Sequence, residues 1–199
     1  MALSRERIAD ELLKLLALDN PTATVAIMLQ RGILKPVLPE IEPGRQRDLA
    51  MLIEAERSAG IPPQALRRLA SLLPRDPGLA ETIAARLKLS NKARKRLACA
   101  ASPELEAVPQ ALAYHVGTEC AVDRLLLAGN PDAASAIASW KPPRLPVSGG
   151  ALMARGLPEG PIIARTLRSI ERQWVDSRFP KGEEFERIVE VALAEAQND

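Results

Sequence analysis

Between Arg86 and Leu97 the sequence RLKLSNKARKRL holds six basic side chains, Arg86, Lys88, Lys92, Arg94, Lys95 and Arg96, and no acid. The whole chain has 27 basic and 25 acidic residues, so what lies outside this run is mildly acidic and the positive potential is concentrated within it. Ser90 is a good N-cap, which predicts a helix from Asn91 whose free amides and positive dipole end add to the side-chain charge. Phosphate is the ligand such a place suits. At helical spacing Lys92, Lys95 and Arg96 share a face, while Leu89, Ala93, Leu97 and Ala100 lie on another that can be buried. No aromatic residue interleaves with the cations, so the pattern favours the phosphates of folded, double-helical RNA over stacking on unpaired bases. Lys88, Asn91, Lys92, Lys95 and Arg96 are the candidate contacts, with a solvated cationic helix as the competing reading.

A weaker basic row, Arg165, Arg168 and Arg172, lies on one side of a later helical segment. Arg165 and Arg168 join the candidate contacts, ion pairing with acids such as Glu171 being the alternative. Cys99 and Cys120 are too far apart for a CxxC motif, and with a single His115 they cannot complete a Cys/His metal quartet; reduced, buried thiols are expected. His115 is expected to be packed or capping a helix end, Trp140 and Trp174 to anchor the core, and Ser148-Gly149-Gly150 to cap a helix, being too sparse for a phosphate loop. No nucleophile with its base, metal-ligand cluster or phosphate loop can be assembled, so catalytic and metal-binding residues are expected to be absent.

These residues must be positioned by helices. The chain of 199 residues is 47% hydrophobic but only 3% aromatic, and its apolar content is mostly Leu, Ala and Ile. Apolar residues recur at helical spacing in Ile8, Leu12, Leu15 and Leu16, in Val25, Met28 and Leu29, and in Leu79, Ile83 and Leu87. Starts are signalled by a capping residue before proline at Asn20-Pro21, Asp76-Pro77, Ser102-Pro103 and Asn130-Pro131, and stops by Gly32, Gly60, Gly129 and Gly156. No alternating strand pattern, hairpin signal or fixed-period repeat is found. The expectation is an all-α, multi-helical array. KPPRLPV at Lys141 to Val147 forbids helix and marks a module boundary; Pro39 to Gly44 is a softer bend. After Val147 the stripes Ile163, Leu167, Ile170, Trp174 and Phe185, Ile188, Val189, Ala192, Leu193 predict two helices packed together. No apolar run approaches the ~20 residues of a membrane span, and the charged opening is unlike a secretory leader, so a cytoplasmic protein with no membrane partner is expected.

The opening Leu3-Ser4-Arg5-Glu6-Arg7-Ile8 through Glu11-Leu12-Leu13-Lys14-Leu15-Leu16, followed by Met28, Gly32, Ile33-Leu34 and Leu38-Pro39-Glu40, resembles the segment after the catalytic head in bacterial CCA-adding enzymes. These are tRNA nucleotidyltransferases of the poly(A) polymerase superfamily. Arg86-Leu87-Lys88-Leu89-Ser90-Asn91 is similar to an element of the family's body, and the run from Gly149 through Leu152, Gly156-Leu157, Gly160-Pro161 and Ile170-Glu171 to Trp174 to its tail. Where the family has an aspartate before that leucine, this chain has Ala151, which puts the capping there in question. The resemblance implies a neck-like segment over 1–42, a helical body over 43–140 and a helical tail over 141–199, which hold tRNA while the head adds CCA. The family's Gly-Ser element and paired metal-binding acids do not occur here, so Mg2+ and CTP or ATP belong to a head domain that this chain is expected to lack. A second class remains open: a helical protein-interaction scaffold without catalytic or RNA-binding activity.

Overall fold

A computed structural model describes residues 4–197 as twelve helices joined by turns and loops, with no strand among the described residues. Leu3 of the opening motif lies outside them. The chain divides into two compact units, the first running to Trp140 and the second starting at Lys141.

The first unit holds α1 (Arg5–Ala17), α2 (Thr22–Gln30), α3 (Gln46–Ser58), α4 (Ala65–Leu72), α5 (Pro77–Arg86), α6 (Asn91–Ala101), α7 (Pro109–Val116), α8 (Thr118–Leu127) and α9 (Pro131–Ile137). Side-chain caps set several starts: Ser4, Gln64, Asp76 and Ser90 accept from the amides of Arg7, Arg67, Leu79 and Ala93 at 2.8–3.3 Å. Proline opens α5 and α9 as expected, and Asn20 accepts from the Thr22 amide beside Pro21 at 3.2 Å. Ser102-Pro103 does not open a helix. Ser102 closes α6 instead, and the next helix waits until Pro109. A helix beginning at Pro103 would need the Ser102 carbonyl for its own first turn; that carbonyl is taken by Arg75 at 2.7 Å, and the Glu104 carbonyl by Arg124 at 3.3 Å. Long-range arginines thus override a local capping signal.

One apolar cluster joins Leu12 and Leu16 of α1, Val25 of α2 and the turn residues Leu34 and Leu38 to Leu49, Leu69, Ile83 and Leu97. A second gathers Leu52 with Leu112, Leu125, Leu126 and Ile137, and Trp140 packs against its edge. Burial of this kind contributes about 25 cal/mol per Å² of apolar surface. The buried Arg68 ties the clusters' frame together: it pairs with Glu56 (2.7 Å) and donates to the Leu16, Leu18 and Asp19 carbonyls at the end of α1. Arg67 lies between Glu56 (3.3 Å) and Asp123 (3.4 Å). Burial pushes the Glu56 and Asp123 carboxyls up and the Arg67 guanidinium down, with their mutual attraction opposing both shifts.

The expectation of free thiols is corrected: Cys99 of α6 and Cys120 of α8 form a disulfide, their Cα atoms 6.1 Å apart. Packing of α6 against α8 brings together residues 21 apart in sequence, a juxtaposition that spacing alone does not reveal. Of the two alternatives for His115, packing is not seen: it is exposed in the last turn of the helix ending at Val116, with Nδ1 2.8 Å from a Glu106 oxygen and its ring edge-on to Tyr114.

The second unit holds α10 (Gly149–Ala154), α11 (Pro161–Asp176) and α12 (Glu183–Gln197). Its core is the anticipated pair of stripes. Trp174 is fully buried, meets the Phe179 and Phe185 rings edge-on and donates through Nε1 to the Pro180 carbonyl at 2.9 Å. Ser148 caps α10 by accepting from the Ala151 amide at 3.3 Å, so alanine in place of the family's aspartate leaves that cap intact. Gly149 has a packing role: a Cβ there would stand 3.0 Å from the Ile163 side chain, so glycine allows α10 to approach α11. No helix among the described residues is long and apolar enough to cross a membrane.

Candidate nucleic-acid interface

The turn from α5 to α6 presents the basic run. Helix α5 ends with the Leu89 amide donating to Ala84 and the Lys88 amide to Ala85, both at 3.0 Å, a closure that puts the intervening residue in the left-handed region. Glycine usually occupies that position, but here it is Lys88, at φ 54°. Its side chain is exposed, and Asn91 and Lys92 follow at once on the first turn of α6. The strained backbone gives a prediction. Lys88→Gly is expected to raise stability by about 0.5–1 kcal/mol, the relieved left-handed strain exceeding glycine's extra chain entropy. Urea midpoints of the two proteins measure it, and a lower midpoint for the variant would contradict the strain argument.

Tertiary structure supplies acids that the sequence run lacks. Arg86 makes a bidentate pair with Glu40 (2.5 and 2.8 Å), which holds the Glu40 carboxyl below its usual range through hydrogen bonding. Arg94 reaches Glu81 at 3.3 Å. Arg96 is only 15% exposed; it forks onto the buried Asp123 at 2.8 and 3.1 Å and also pairs with Glu119. Of the face anticipated for Lys92, Lys95 and Arg96, only the two lysines therefore point to solvent without a partner among the described residues. Lys88 lies 3.4 Å from Glu6, with both side chains more than half exposed, a pair that solvent keeps weak. Arg165 and Arg168 lie on α11 in the second unit, exposed on the same side of that helix.

Two of these ion pairs connect the basic run to the start of the chain. Glu6 belongs to the first turn of α1 and Glu40 to the turn after α2, so the run is joined to both ends of the opening segment. Arg5 and Arg7 flank Glu6, are exposed and have no partner among the described residues. Sequence reasoning passes over them as candidates because the neighbouring Glu6 and Glu11 make the segment look charge-balanced. Together the two helix starts carry Arg5, Arg7, Lys88, Lys92 and Lys95, with Ser4 and Ser90 as their caps.

Residues 1–44 match the model of a family described as the probable RNA and SrmB-binding site of polymerase A. The opening of this chain is similar to an RNA-binding region. A search of curated proteins gives no match. The matched stretch spans α1, α2 and the following turn, and it is the same stretch that Glu6 and Glu40 attach to the basic run. The similarity and the exposed cations meet on one part of the first unit.

Among the described residues no three His, Cys, Asp or Glu side chains gather in a metal-ligating group. The two buried carboxylates, Glu56 and Asp123, are matched by the guanidinium groups of Arg67, Arg68 and Arg96.

Proposed function

We propose that this chain is a tRNA-binding helical region of a CCA-adding type of nucleotidyltransferase, with the nucleotidyl-transfer chemistry in a separate head domain. The observation that carries the reading is the attachment of the polymerase A-like segment 1–44 to the exposed cations of the α5–α6 turn. Arg5, Arg7, Lys88, Lys92 and Lys95 contact phosphates, Asn91 and the free amides at the start of α6 add neutral donors, and Arg165 and Arg168 extend the grip in the second unit. Arg96 supports the site from within by fixing α6 to α8 through Asp123. Neck, body and tail correspond to 1–42, 43–140 and 141–199 in this reading, and the location is cytoplasmic. Titrating tRNA and an unrelated RNA duplex at several salt concentrations tests it. The two should bind with similar, strongly salt-dependent affinity; absence of salt-dependent binding would leave the reading without support.

A second prediction follows from the acids that are already paired. The purified chain should incorporate no labelled CTP or ATP into tRNA at any magnesium concentration. Incorporation by the chain alone would overturn the assignment of chemistry to another domain.

The scaffold reading retains one specific observation. An apolar groove of about 570 Å³ runs between α1 and the turn after α2, lined by Ile8, Leu15, Met28 and Val37, with Ile33 exposed at its edge. A folded chain that shows no salt-dependent RNA binding would favour that reading.

A further inference from the structure

A recess of about 430 Å³ lies in the second unit between α11 and α12. It exists because α12 presents Ala192 and Ala196 there, side chains too small to fill the space beside α11. Along α11 the lining residues Arg165, Thr166, Arg168, Ser169 and Arg172 follow helical spacing and share one face. Thr166 is 3% exposed and its buried Oγ1 has no hydrogen-bond partner among the described residues. A buried hydroxyl without a partner costs folding free energy; Thr166 forms part of the recess wall with Oγ1 itself shielded from solvent. Ser169 accepts from Gln173 at 3.3 Å, which leaves its own proton available to donate. Arg168 uses Nε on the Ala164 carbonyl at 3.2 Å, so its terminal nitrogens remain without a partner among the described residues, as does the Arg172 guanidinium. The lining contains one carboxylate, Glu195, against three arginines.

We propose that this recess binds a phosphate group, held by the forked guanidinium groups of Arg168 and Arg172 and by a hydrogen bond from the Ser169 hydroxyl. Arginine suits the role because its planar fork matches phosphate oxygens in pairs. The phosphate offsets the positive charge of Arg168 and Arg172. The site stands on the second unit's own geometry; only the identification of its phosphate as part of an RNA backbone rests on the RNA-binding reading above.

The experiment is calorimetric titration of the full chain with inorganic phosphate, followed by competition with an RNA duplex that carries no terminal phosphates. Arg168→Gln with Arg172→Gln should weaken phosphate binding by roughly a hundredfold, one factor of about ten for each charged hydrogen-bonding partner removed. Ser169→Ala removes the hydroxyl that lines the recess; it should weaken phosphate binding roughly fivefold while its melting temperature stays level, an outcome a purely structural serine would not give. Displacement of phosphate by the duplex identifies an RNA backbone as the source; phosphate binding with no displacement identifies a free phosphate or phosphomonoester and counts against the RNA reading alone. The site is overturned if phosphate does not bind, or binds the folded arginine double variant as tightly as the wild type.

Discussion

Replacing Arg68 with methionine should destabilise the first unit by about 3–5 kcal/mol, the cost of breaking a buried ion pair and leaving its partners uncompensated. The side chain is 1% exposed and serves four acceptors: the Glu56 carboxylate and the Leu16, Leu18 and Asp19 carbonyls. Its removal takes the guanidinium donors from the end of α1 and leaves Glu56 with Arg67 at 3.3 Å as its remaining ion-pair partner. Methionine fills much of the same volume, so the change reports the absent hydrogen bonds and ion pair more than a cavity. Because Arg68 anchors the end of α1, the amides of that helix should exchange with solvent faster than those of α8 in the variant. Urea denaturation with hydrogen exchange measures both. A destabilisation below about 1 kcal/mol would show that water replaces the guanidinium without penalty, and the buried network would have to be reassigned.

Reversing the charge of the two solvent-facing lysines should have the largest effect on RNA binding. Lys92→Glu with Lys95→Glu is expected to weaken tRNA binding by roughly a hundredfold at low salt and to reduce the salt slope by about two units, one for each phosphate that a lysine no longer neutralises. Sequence preference should change little, since phosphates carry no base information. Stability should hold within about 0.5 kcal/mol, because both side chains are exposed and have no partner among the described residues. Arg96 behaves differently. Arg96→Glu sets a carboxylate against Asp123 and Glu119 and should cost about 3–5 kcal/mol of stability, so any weakening of RNA binding in that variant would reflect unfolding. A folded lysine double variant that binds with wild-type affinity and slope would show α6 to be a solvated face and would favour the scaffold reading.

The contrast between Lys92 and Arg96 shows where the sequence stops being legible. Spacing places both on one helical face, and the structure keeps them on one side of α6. Helical periodicity fixes an angle about the axis, but it does not say which neighbouring helix stands at that angle. Here α8 stands beside Arg96 with Asp123, while Lys92 and Lys95 face water. The same limit hides the disulfide, since Cys99 and Cys120 meet only through the packing of α6 on α8.

The sequence by itself determined the all-helical class, because a Leu-, Ala- and Ile-rich pattern at helical spacing has no other way to bury its apolar faces. It also determined most helix ends, where side-chain caps and left-handed glycines act within a few residues of their targets, and the break at Lys141, where closely spaced prolines forbid helix. Ser102-Pro103 is the exception, a local signal outweighed by Arg75 and Arg124 arriving from distant parts of the chain. Only the tertiary structure decided which charges remain available. Fields from Glu40, Glu81, Glu119 and Asp123 act across space, so an acid-free run in sequence became a mostly paired one in the fold. The attachment of Glu6 to Lys88, the exposure of Arg5 and Arg7 and the recess under Arg168 and Arg172 were decided the same way, by helices whose separation in sequence says nothing about their distance in space.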